Sequence, residues 1–179
     1  MERGGGINRV KRYPLGDDDI RKLLGQDIHI MTYPQLEGKG SINECFDRKG
    51  RCILLFPNAS PTMGHWCCMI KRPDHIEFFD PYGEAPEEQK DGLSKSRLEE
   101  LQMSHPILTD LLKGSGKPVF YNAHAFQKDR ADVATCGRHC VVRLYYANAP
   151  LEDYKKSIDG SGLSADDFVA ALTYDKIKK

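Results

Sequence analysis

Two uninterrupted apolar runs, Cys52-Ile53-Leu54-Leu55-Phe56 and Trp66-Cys67-Cys68-Met69-Ile70, constrain this chain more than any other feature. Each is far shorter than the roughly 20 apolar residues a bilayer-spanning helix needs. Gly50 and Pro57 bound the first run, Gly64 and Pro73 the second. They read as buried strands over 51–56 and 65–71, joined by a loop over 58–64. A third run, His75-Ile76-Glu77-Phe78-Phe79, follows the Pro73-Asp74 turn, so the second and third strands form a hairpin. In a hairpin the start of one strand lies beside the end of the next. His65 and Asp80 occupy those two ends and should be spatial neighbours.

The rest of the chain supplies helices. Residues 1–16, with three glycines, a basic cluster and Tyr13-Pro14-Leu15-Gly16, read as a flexible, extended N-terminal arm. Asp17 is placed to cap a short helix over 18–24 that Gly25 stops. A short extended piece is expected at 28–31, and helices at 96–103 and 106–112, the latter with Pro106 in its first position. A further strand falls at 119–122, a polar loop at 123–135, an amphipathic helix at 136–147 and a last helix at 163–172 capped by Ser164. The sum is an α+β fold, a small antiparallel or mixed sheet packed against helices, forming one domain over 17–179.

Charge narrows the function classes. Lys and Arg number 26, as do Asp and Glu, so no basic excess argues for nucleic acid. The N-terminus has no apolar run to act as a signal peptide, which points to an intracellular protein. The six cysteines, at 45, 52, 67, 68, 136 and 140, then read as free thiols of a reducing compartment rather than as disulfides. Zinc is disfavoured, because Cys67 and Cys68 point to opposite faces of a strand and no Cys-x-x-Cys pair occurs.

The chemistry concentrates where the polar loop meets the helix at Thr135-Cys136-Gly137. A thiol at a helix N-terminus sits among unpaired backbone N–H groups and at the positive end of the dipole, which favours thiolate. Such a nucleophile needs a base, and the base needs an orienting acid. His65 and Asp80 fill those roles. His124 is the rival base, while His139, one helical turn past Cys136, is expected to face outward or sideways. Gln127, with Asn122 as alternative, could donate to a developing oxyanion beside the Cys136 N–H. Gly137 would let a substrate backbone approach the thiol.

Gly64-His65-Trp66, Phe79-Asp80-Pro81-Tyr82-Gly83, Gln127 and Thr135-Cys136-Gly137 together resemble the His–Asp–Gln–Cys order of the cysteine-protease clan that includes SUMO-type proteases and the adenovirus maturation protease. The chain looks most like maturation proteases of large or satellite DNA viruses, virophages included. It departs from the adenovirus enzyme in carrying Asp80 where that enzyme has Glu. The resemblance implies a papain-like fold with permuted residue order, with Trp66 packed near the His–Cys pair. It also implies a thiol peptidase cutting at Gly-containing sites, with no cofactor, and viral structural precursors as protein substrates. A nucleic-acid or peptide activator is a further analogy, which zero net charge does not encourage. By the same resemblance the protein acts in the host cytoplasm or virus factory, or inside the virion. Removal of host ubiquitin-like modifiers, or an inactive interaction module, are the alternatives. The run Gly4-Gly5-Gly6 could itself be a cleavage site or occupy the groove.

Overall fold

The computed structural model describes residues 3–176. It opens with helices α1 (Arg3–Arg12) and α2 (Asp17–Leu24) and strand β1 (His29–Thr32). Two 3-10 turns, Tyr33–Gly38 and Ile42–Cys45, lead to strands β2 (Arg51–Ser60), β3 (Met63–Lys71) and β4 (Ile76–Phe79). Then follow α3 (Lys95–Glu100), α4 (Ile107–Gly114), β5 (Val119–Tyr121), α5 (Cys136–Tyr145), α6 (Leu151–Gly160) and α7 (Ala165–Thr173).

The strands form one five-stranded mixed sheet in the order β1-β2-β3-β4-β5. The two edge pairs, β1–β2 and β4–β5, are parallel, and the two central pairs are antiparallel. Both faces of this sheet are covered, which is why the two long apolar runs show no polar alternation. Ile53, Leu55, Trp66, Cys68, Ile70 and Phe79 face one core, with α2, α5, α6 and α7. Cys52, Leu54, Phe56, Cys67, Met69 and Phe78 face a second core, completed by Tyr33, Leu36, Leu101 and Leu108. Cys67 and Cys68 do fall on opposite faces. All six cysteines are free thiols.

Four local expectations are corrected. Residues 3–12 are helical, not extended. Tertiary contacts override the poor helix propensity of the glycines: Lys11 Nζ lies 2.7 Å from Asp167 Oδ1 of α7, and a side chain at Gly6 would meet Tyr174. The Gly4-Gly5-Gly6 run is therefore part of a helix rather than an extended segment. The start of α2 is capped by Gly16, not by Asp17, and the Gly16 N–H donates to Asp19 Oδ2 at 3.3 Å. The 58–64 loop is mostly strand: β2 and β3 continue to Ser60 and Met63, with a register shift after Pro57 that accommodates its missing N–H. Finally, α6 falls where the sequence reading expects nothing. Pro150 before Leu151, Tyr154 and Ile158 at helical spacing was the available signal.

Candidate active site

The site forms at one end of the sheet, where β3 begins and β4 ends. Phe56 pairs with His65 and Pro57 with Gly64, so β2 supports the start of β3 by its backbone. Gly64 is required there: a Cβ would lie 1.9 Å from the Phe56 carbonyl oxygen and 2.8 Å from Pro57 Cα. On the other side Cys68 pairs with Phe79, which brings Asp80 alongside Cys67, two residues from His65. His65 Nε2 and Asp80 Oδ1 are 2.7 Å apart. This is the contact that the hairpin argument expects.

Asp80 is fully buried and every part of it is held. Besides His65, its Oδ1 accepts from the Tyr82 N–H at 2.7 Å, and its Oδ2 accepts from Gln89 Nε2 at 2.7 Å. The Asn122 side chain clamps the backbone: its Oδ1 accepts from the Asp80 N–H at 3.0 Å, and its Nδ2 donates to the Asp80 carbonyl at 2.6 Å. Thus Asn122, the residue after β5, fixes the acid on one side, and the turn after Asp80 fixes it on the other. Gly83 completes that turn at φ 79°, pressed against the His124 backbone so closely that a Cβ would lie 2.7 Å from it. The Tyr82 ring stacks on the His65 imidazole, with centroids 4.8 Å apart and planes 20° from parallel.

With Nε2 engaged by Asp80, Nδ1 of His65 is left for Cys136, and the imidazole and the thiol are close enough to shift each other's protonation. Burial alone would lower the His65 pKa, but its hydrogen bonds and charge interactions with Asp80 and Cys136 outweigh that and raise it to about 10. Burial likewise works to raise the Cys136 pKa. The bond to His65, its positive charge, and backbone N–H donors at Trp66 and Gly137 reverse the effect, and the thiol falls below its ordinary 9.0. Other cysteines go the opposite way: burial pushes Cys45 up to about 11 and raises Cys52, Cys67 and Cys140 well above 9.0. Cys136 is therefore set apart from its chemically identical neighbours by environment alone. It opens α5, and its helix start supplies the positive dipole end.

The other expected site residues are placed as follows. Trp66 is buried, and its Nε1 donates to the Leu15 carbonyl at 2.9 Å. Gly137 is buried too: a Cβ there would meet Leu15 at 3.1 Å and Trp66 at 3.2 Å. The missing side chain is thus what lets the Leu15 segment and Trp66 close over the first turn of α5. Gln127 is buried, its N–H on the Pro81 carbonyl at 2.9 Å. Its Nε2 makes one long bond, 3.4 Å, to the Val133 carbonyl, and its Oε1 has no partner. A side-chain amide with two donor hydrogens so held keeps one to spare.

Two rival residues are placed and one expectation is corrected. Asn122 does not aim its amide at an oxyanion, since both its ends are committed to Asp80 and His124 backbone. His124 packs its ring edge-on against Phe126. His139 does not face outward; it is fully buried, with Nε2 3.0 Å from Asp166 Oδ1, because α7 covers that face of α5. Sequence reasoning missed Gln89, the clamping role of Asn122, and Asp166. Each is joined to the site by contacts distant in sequence, and no local pattern announces such partners.

Three ligand atoms at this site, from His65, Cys67 and Asp80, lie within 4.8 Å of one another and could hold a metal ion. An ion there would displace the proton shared by His65 and Asp80, and so would disable the base.

No protein-family model matches the chain. It is 35% identical over 154 residues to the uncharacterized protein V9 of Sputnik virophage, covering 86% of this chain and 87% of that protein. Among solved structures it is similar to the central domain of the uncharacterized Lpg1148 protein from Legionella pneumophila, with TM-score 0.43 and 20% identity over 92% of this chain and 96% of that one. It is also similar to the SUMO protease Ulp1 with its catalytic cysteine oxidized to a sulfinic acid, with TM-score 0.44 and 19% identity over 99% of this chain and 88% of that one.

Proposed function

The chain belongs to the same family as the uncharacterized protein V9 of Sputnik virophage, and we propose that it is a cysteine endopeptidase. One observation carries this reading: a fully buried Asp80 holds His65 by Nε2 at 2.7 Å, and Cys136, at the start of α5, interacts with that imidazole so that the thiol pKa is lowered and the imidazole pKa raised. That is the electrostatic signature of a thiolate–imidazolium pair.

The mechanism belongs to the same proposal. The Cys136 thiolate attacks the scissile carbonyl carbon, and the carbonyl oxygen takes up the negative charge. The Cys136 N–H and the spare hydrogen of Gln127 Nε2 donate to that oxyanion; one such donor is worth about 3–4 kcal/mol of barrier. His65 gives its proton from Nδ1 to the departing amine, and the C–N bond breaks to leave a thioester on Cys136. His65, now neutral, takes a proton from water, whose oxygen attacks the thioester and frees the acid product. Asp80 stays ionised throughout and holds the imidazole by Nε2.

The substrates are proteins, and the fitting class is viral structural precursors cut at Gly-containing sites during capsid maturation inside the infected cell or the particle. The papain-like arrangement with permuted residue order belongs to the same reading. The test is labelling with an electrophilic thiol probe at neutral pH. Wild type should label at Cys136 and Cys136→Ala should not. No labelling of the native chain, with labelling of a denatured control, would remove the enzyme reading. Cleavage of ubiquitin-like fusions in preference to capsid precursors would redirect the substrate.

A further inference from the structure

The peptidase reading leaves one buried group unexplained. Asp166, in the first turn of α7, is 2% exposed and accepts three hydrogen bonds from two separate segments. Its Oδ1 accepts from Thr135 Oγ1 at 2.6 Å and contacts His139 Nε2 at 3.0 Å. Its Oδ2 accepts from the Lys128 backbone N–H at 3.1 Å. Thr135 immediately precedes Cys136, and His139 lies one turn further along α5. Lys128 immediately follows Gln127.

We infer that Asp166 is a positioning residue that fixes the Gln127 loop to the first turn of the Cys136 helix. The inference rests on the peptidase reading, since it concerns the distance between nucleophile and oxyanion donor. Gln127 needs such an anchor. Its own N–H is tied to Pro81, but its side chain has only the long bond to Val133 and an unpartnered Oε1. The loop is therefore pinned on the sheet side by Pro81 and on the helix side by Asp166. A carboxylate suits the task because its two oxygens serve the two segments at once, and because every partner is a donor. Oxyanion stabilisation depends on donors held in place before charge develops.

Asp166→Asn tests this with no change of shape. Its remaining oxygen can keep Thr135 and His139, which places its amide donor against the Lys128 donor and releases the Gln127 side alone. Three quantities are measured on the full chain: peptide turnover, alkylation of Cys136 by iodoacetamide, and affinity for a peptide aldehyde. Alkylation needs the thiolate but no oxyanion hole, whereas turnover and aldehyde binding need both. The expected result is a fall in kcat of about tenfold or more with KM within about twofold. Aldehyde affinity should fall in step, with alkylation within about twofold of wild type. Lys128→Pro removes the same N–H from the other partner and should give the same pattern, which covers the case of Asp166→Asn not folding. Unchanged kcat in these variants, or alkylation falling in parallel with kcat, overturns the assignment. A wild-type chain that neither hydrolyses peptide nor alkylates at Cys136 overturns the peptidase reading itself.

Discussion

Gly64→Ala is the smallest change that should dismantle the site without touching a reacting group. The added methyl would sit 1.9 Å from the Phe56 carbonyl oxygen, 2.8 Å from its carbonyl carbon and 2.8 Å from Pro57 Cα. Carbon and oxygen need about 3 Å or more, so β2 and β3 must part by about 1 Å. The obstructing atoms are backbone, and no rotamer change relieves the clash. Parting the strands costs overpacking strain of about 1–3 kcal/mol plus one or two ladder hydrogen bonds at about 1 kcal/mol each, or about 2–5 kcal/mol in all. His65 is the next residue, paired with Phe56, and would move relative to Asp80. A displacement near 1 Å is worth about 100-fold in rate at a site of this kind. Urea unfolding gives the first quantity and Cys136 alkylation at neutral pH the second. Gly92→Ala is the control, since a Cβ there meets nothing within 4 Å. If Gly64→Ala matched that control in both urea midpoint and alkylation rate, the steric argument and the placement of His65 built on it would be wrong.

Three further outcomes are expected. Stability should depend on pH in a definite way. His65 holds its proton more tightly when folded, so its contribution is complete below its ordinary 6.5 and lost as pH rises toward about 10. Cys136 holds its proton less tightly when folded, so its contribution is complete above its ordinary 9.0 and lost as pH falls through the lowered value. Above both 6.5 and the lowered Cys136 value, and below 9.0, the two slopes cancel, because folded and unfolded chains each bind one proton on the pair. Urea midpoints should show a plateau ending in a loss of stability above 9.0, and Cys136→Ala should replace the plateau by a decline; a wild-type decline over the whole interval from 6.5 to 9.0 would refute the ion pair. Asn122→Ala should orphan the Asp80 N–H and carbonyl, costing about 2–4 kcal/mol in urea unfolding and lowering kcat more than KM changes. Arg143→Met should leave buried Glu77 with Arg72 alone and cost about 3–5 kcal/mol by the same assay, with Cys136 alkylation preserved in whatever fraction stays folded.

The sheet was legible because its central strands are written as unbroken apolar runs and because a hairpin fixes which ends meet. That geometry is enough to place His65 against Asp80. Cys136 was legible as a polar loop turning into an amphipathic helix. What escaped was everything decided by partners far along the chain. The glycine-rich start folds as α1 because α7 offers it Asp167 and Tyr174, not because of its own propensity. His139 goes inside because Asp166 meets it there. Gln89 and Asn122 are ordinary polar residues until Asp80 is placed between them. Gly64 and Gly83 belong to the motifs, but the reason for them is steric: each lies against the backbone of another segment, Gly64 on Phe56 and Pro57, Gly83 on His124.

The loop between Gln127 and Cys136 is fastened at both ends: Gln127 and Lys128 hold to Pro81 and Asp166, and Ala134 donates its N–H to the Lys11 carbonyl at 2.7 Å. Between those fastenings, residues 129–131 are exposed. Extra residues added at this tip would lengthen the loop outward and leave both anchored ends where they are. This makes 129–131 a place where an engineer could graft a new segment without moving the residues that hold Gln127 and Cys136.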